Sequence, residues 1–132
     1  KSIALKKALQ MPLILPAHPH GVRPIIEKAA RSHGFPAPNV VADISSISIL
    51  RTTLLAGLGY TLLPVMPMQN DIASGALRAV PVDRPGLTRR LTVCAAKHIP
   101  LSAASVAVQK LVLKLTSHLA TTGEWQGSVQ IP

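Results

Sequence analysis

The sequence predicts an α/β fold built on a parallel sheet, and three observations carry that prediction. A compact apolar run, PLILP at residues 12–16, and a β-branched one, VVADI at 40–44, both read as strands. Each is followed by a loop and then by apolar residues at helical spacing. A glycine stop follows each helix: Gly34 after the first, Gly57 and Gly59 after the second. Strand, loop, helix, glycine, strand is the grammar of βαβ units, which demand a parallel sheet carrying helices.

Residues 1–10 read as the last turn of a preceding segment, with Leu5 and Leu9 facing inward. After the strand at 12–16 comes the loop AHPHG and a helix from Val22 to His33. Its apolar face runs Val22, Ile25, Ile26, Ala29 and Ala30. After the strand at 40–44, Ser45, Ser46 and Ser48 cluster where the next helix begins, and a serine hydroxyl there can accept a bond from the first-turn amides. Ile47, Leu50, Leu54, Leu55 and Leu58 have the spacing of one buried helical face. Tyr60, Thr61, Leu62 and Leu63 resume as a strand that Pro64 closes. The stretch VMPMQNDIASG predicts a loop and a short helix ended by Gly75. Residues 77–82 read as a strand near an edge because of Pro81. Arg84, Pro85 and Gly86 form a turn, and 90–97 form a further strand holding Cys94. A long helix follows, capped by Ser102, with Leu101, Ala104, Val108, Leu111, Val112, Leu115 and Leu119 along one side. The tail at 120–132 is polar and turn-rich, with Trp125 as its anchor.

Composition narrows the classes. One hundred and thirty-two residues suit a single domain with a real core. The lone cysteine excludes an internal disulfide framework, and on a strand with no base beside it Cys94 reads as buried and inert. Neither a leader peptide nor a membrane span is visible, which points to a cytoplasmic protein. The net charge of +9 invites a nucleic-acid reading. The basic residues are scattered, however, and the three aromatics, Phe35, Tyr60 and Trp125, are too few for a base-stacking platform. A solvated basic surface explains the charge more plainly.

Two βα units set two helix N-termini on one sheet edge, where free amides and positive dipole ends favour small anions. The serines there serve equally as caps. His18 and His20 lack the third ligand a metal site needs, so a pocket-rim role is preferred, and no metal or cofactor is expected. Arg23, in the first helical turn, is either a partner for an acidic ligand or a surface residue. The five carboxylates, Glu27, Asp43, Asp71, Asp83 and Glu124, form no sequence-adjacent acid/base pair. No P-loop, GxSxG elbow or GxGxxG occurs, and Gly57-Leu58-Gly59 follows a helix rather than a strand, so the chain does not read as an enzyme.

The ordered set PLILP, PHGVR, VVADI, a serine-led helix, AGLGYTLLP, IASGAL, RRLTV, PLS, a long helix and GEW covers nearly the whole chain. It resembles the carboxyl-terminal, effector-binding domain of LysR-type transcriptional regulators. PHGVR, AGLGYTLLP and GEW place it nearest the nitrogen-assimilation-control branch. The resemblance implies a periplasmic-binding-protein-like fold of type II. Residues 12–82 would be the second subdomain, and 90–119 the returning strand and helix of the first. It also implies a fragment of 1–132 that lacks half of the first subdomain, the linker helix and the winged helix-turn-helix, so that DNA is reached only through the missing part. By position in such relatives, an effector would touch Pro16, Ala17, His18 and His20, then Ser45, Ser46 and Ser48, with Pro64 and Val65 as the pocket floor. Regulators of the nitrogen-assimilation-control branch act without a small-molecule effector, which implies a pocket that is vestigial or serves another ligand. Relatives pair side by side. A dimer or tetramer is therefore expected, with Leu111, Leu115 and Leu119 near the contact. A solute-binding protein fragment taking a small anionic metabolite is the alternative, and a direct nucleic-acid binder comes third.

Overall fold

Strand β1 (Leu13–Leu15) consists of three consecutive apolar residues, all buried. A strand apolar on both sides has to be covered on both faces, which is the position of a central parallel strand. The computed structural model, which describes residues 1–132 apart from 19–20, 84–85, 97 and 126–132, puts β1 there. It pairs in parallel with β2 (Val40–Asp43), Leu13 opposite Val40 and Leu15 opposite Asp43, with an irregularity between Leu13 and Ile14. On its other side, Ile14 N–H donates to Tyr60 O at 2.7 Å and Tyr60 N–H to Pro12 O at 3.0 Å. The spatial order is therefore β2, β1, Tyr60, with the chain returning past β1.

The pleat of β1 separates two cores. Leu13 and Leu15 pack with Leu5 and Leu9 of the amino-terminal turn and with Ile26 and Ala30 of α2 (Arg23–Ser32). The turn itself is helix α1 (Leu5–Ala8), so Leu5 and Leu9 face inward as expected. Ile14 points the other way, onto Leu50 of α3 (Ile47–Leu55) and Met68. Helices α2 and α3 thus cover opposite faces of the sheet. Met68 ends a 3-10 turn (Met66–Met68) that leads into α4 (Gln69–Ala73).

Several expected elements are smaller than their sequence suggests. The strand at 60–63 is reduced to one bridge at Tyr60. Among the described residues no strand pairs on its outer side, and a segment with one neighbour and a terminal proline has little ladder to form. The strand at 77–82 is likewise a single bridge, Ile3 N–H donating to Pro81 O at 2.9 Å and Asp83 N–H to Ile3 O at 2.8 Å. The buried face expected on α3 narrows to Leu50 and Leu54, one turn apart, while Ile47, Leu55 and Leu58 are exposed. Leu58 lies beyond the end of α3, after Gly57 at φ +71°. Gly59 does more than stop a helix. A Cβ there would lie 2.9 Å from Ile14 Cδ1 and 3.0 Å from Pro12 O, so the bare backbone lets this segment close onto β1.

Residues Lys1–Arg89 form one compact unit and Arg90–Pro132 another. The second is dominated by α5 (Ala103–Thr121), whose N-cap Ser102 accepts from Ser105 N–H at 3.1 Å, as expected. No residue of α5 is buried. The strand expected at 90–97 does not form among the described residues of this unit. A strand exists only against a partner it can bond, and a helix offers none. Cys94, expected in the core, is exposed for the same reason. Trp125 N–H donates to Leu119 O at 2.9 Å and anchors the turn after α5. Residues 84–85 of the expected turn, the end of the strand at Lys97 and the tail beyond Trp125 lie outside the described residues.

Candidate functional site

Parallel pairing sets the loops after β1, β2 and Tyr60 on one sheet edge. Outside the carboxyl ends of strands, where neighbouring loops diverge to opposite faces, a crevice opens. Helix α2 leaves on one face and α3 on the other, so the loop after β1 and the segment at Pro64–Val65 flank such a point. Pro16, Ala17 and Val65 are half-buried; His18 and Pro64 are exposed.

One contact joins the two βα loops directly. Ala17 N–H donates to Ser45 Oγ at 3.2 Å. Ser46 is the N-cap residue of α3, with extended backbone at φ −76° and ψ 120°. The expected cap is nonetheless incomplete, because the Ser46 side chain bonds none of the first-turn amides of α3. The Ser46 and Ser48 hydroxyls pair with each other instead, at 3.0 Å. Helix α2 also starts without a side-chain cap, on Val22. The edge therefore presents the positive ends of two helices, with their amide groups uncommitted to serine.

Beside this edge runs a chain of charge that sequence reading missed. His18 Nε2–H donates to Glu27 Oε2 at 2.8 Å, and Arg23 Nε–H to Glu27 Oε1 at 2.9 Å. The Arg23 Nη1 group reaches on to Asp43 Oδ1, at the end of β2. Arg23 is thus neither a free ligand partner nor a loose surface cation, since its guanidinium is held by two carboxylates. The Arg23 hydrogen bond, reinforced by His18, holds the Glu27 carboxyl below the usual carboxylate range. The spacing of Arg23 and Glu27, four apart on one helix, is a readable signal for half of this arrangement. The reach to Asp43 is tertiary and carries no local signal.

His20 lies outside the described residues. Among the described residues no three His, Cys, Asp or Glu side chains gather as metal ligands would, and no helix is long and apolar enough to cross a membrane.

The family model for the LysR substrate binding domain matches residues 1–117. The chain belongs to the LysR substrate-binding-domain family. No curated protein and no solved structure matches it. Membership assigns the mixed α/β architecture to the type II periplasmic-binding-protein-like fold, and the chain to the ligand-sensing domain of LysR-type transcriptional regulators, which are not enzymes.

A second ion pair in this LysR domain ties α3 to α4. Arg51 donates through Nε to Asp71 Oδ2 at 2.7 Å and through Nη2 to Asp71 Oδ1 at 2.6 Å, a two-pronged contact on a buried carboxylate. Arg51 holds Asp71 below its ordinary range. Both Glu27 and Asp71 are depressed in the folded state, so the unfolded chain binds more protons in acid. Their contribution is present above the ordinary values of 4.5 and 3.8 and is lost as pH falls through the lower folded values. We expect urea midpoints to fall as the pH drops below about 4.5, and to fall less steeply in the double variant Glu27→Gln/Asp71→Asn. Parallel pH profiles for the two chains would contradict this.

Proposed function

We propose that the chain is the ligand-sensing and oligomerisation region of a bacterial, cytoplasmic LysR-type regulator of the nitrogen-assimilation-control-like branch. It acts on transcription through a DNA-binding domain outside this sequence. Residues 12–82 are the second subdomain, 90–119 the returning segment of the first, with helix α5, and 120–132 the tail. The family match supports the regulator over a solute-binding protein fragment, and PHGVR, AGLGYTLLP and GEW support the branch.

The effector is a small anion held at the edge lined by Pro16, Ala17, His18, Ser45, Ser46, Ser48, Pro64 and Val65. The observation that carries this reading is the Ala17–Ser45 bond, which draws two βα loops together beside the first-turn amides of α3 that Ser46 leaves unbonded. Self-association through the α5 face, with Leu111, Leu115 and Leu119 near the contact, completes the proposal.

Inorganic phosphate or sulfate, titrated against backbone amide resonances, tests the site. We expect the amides of Ala17 and the first turn of α3 to respond. Ser46→Ala should weaken binding about tenfold, the loss of one hydrogen bond to a charged group. Equal binding by variant and parent would remove the serine from the site, and no response at either loop would remove the anion.

A further inference from the structure

We propose that Arg23 is a positioning residue that clamps the loop after β1 to the loop after β2, and so sets the geometry of the effector site. This rests on the reading that the effector lies between those loops. Two covalently distant segments meet there, and two links join them among the described residues. One is the Ala17–Ser45 bond. The other is the chain His18–Glu27–Arg23–Asp43, which starts one residue after Ala17 and ends two residues before Ser45. Both links join the same two loops, so releasing Asp43 loosens the backbone that presents the Ser45 hydroxyl.

The side chains suit the task. Arg23 is only 16 % exposed, whereas the ends of the chain, His18 and Asp43, are 52 % and 56 % exposed. The anchor is thus covered, and the groups it holds stand at the rim. A cation in the first turn of a helix opposes the positive dipole end, and two flanking carboxylates offset that cost. Reaching two carboxylates in different directions uses the guanidinium fork. A lysine ammonium is a point charge without that geometry.

Amide hydrogen exchange distinguishes a clamp from general support. Ala17 reports on the loop contact. Ile44, which donates to Leu15 O at 2.9 Å, reports on the sheet beside it. In Arg23→Met and in Asp43→Asn we expect Ala17 to exchange about tenfold faster or more, as loss of a charged hydrogen bond implies, with Ile44 unchanged. Arg23→Lys should behave as Arg23→Met does, and phosphate binding should weaken in all three. Asp43 is exposed, so its variant keeps the fold even where an Arg23 variant does not.

Unchanged exchange at Ala17 would overturn the proposal, and so would Ala17 and Ile44 accelerating together. Faster exchange at Ala17 with phosphate held as tightly as by the parent would overturn the link to the site. Failure of the unmodified chain to bind phosphate, with the exchange difference intact, would instead sink the anion reading and leave the clamp standing.

Discussion

Ile26→Ala should cost about 2–5 kcal/mol of folding stability, the range for truncating a fully buried aliphatic side chain. Ile26 is fully buried, in one cluster with Leu5, Leu9, Leu13 and Leu15. Those neighbours come from α1, β1 and the turn between them, so the void cannot be closed by shifting one side chain. A small domain has only about 5–15 kcal/mol in total, and the loss is a large share of it. The melting temperature should fall by roughly 10 °C or more, as expected for a unit of this size. Leu58→Ala is the matched comparison. Periodicity places Leu58 on a buried face, but it is 68 % exposed, and its truncation should stay within about 0.5 kcal/mol. Equal losses from the two variants would mean that the core is drawn in the wrong place.

The contrast between Ile26 and Leu58 shows what a sequence of this kind can disclose. The strand at Leu13–Leu15, the helix through Ile26 and Ala30, and the cap at Ser102 are all legible, because each depends on local spacing or one turn of capping chemistry. Strand length at 60–63, 77–82 and 90–97 is not legible in the same way. Propensity marks a segment able to be a strand, but a ladder also needs a neighbour with free amides and carbonyls. Tyr60 and Val82 each find one bridge, and residues 91–96 find none.

The site divides along the same line. That both loops meet at the sheet edge follows from the βα order. That Ser45 rather than Ser46 makes the contact between loops depends on tertiary geometry. Gly59 is a similar case: its pattern matches a helix stop, whereas its tightest constraint is the approach to Ile14 and Pro12. Arg23 carries two possible roles in the sequence. The carboxylate of Asp43, twenty residues away, gives it a third.

The double variant Leu111→Lys/Leu115→Lys should abolish self-association while leaving α5 intact. Leu111 and Leu115 are 54 % and 49 % exposed, and Val108 and Val112 extend the same stripe. Leu119, grouped with them by spacing, is half-buried, and its carbonyl takes the Trp125 N–H. The free part of the face is therefore the middle of the helix. The stripe also borders a groove of about 450 Å3 that includes Val93, Leu101, Ala104, Val108 and Val112, so the apolar surface is continuous rather than scattered. Full burial of a leucine is worth about 1.5–3 kcal/mol, and two of them at the centre of a contact are enough to decide whether it holds. Lysine has comparable helix propensity and a solvated charge, so the variant removes the contact without melting the helix. Sedimentation should give an assembly for the unmodified chain and a 13.9 kDa species for the variant, with equal helical circular dichroism. A single 13.9 kDa species for the unmodified chain at micromolar concentration would show that this face stays open to water, and the assembly reading would fall with it.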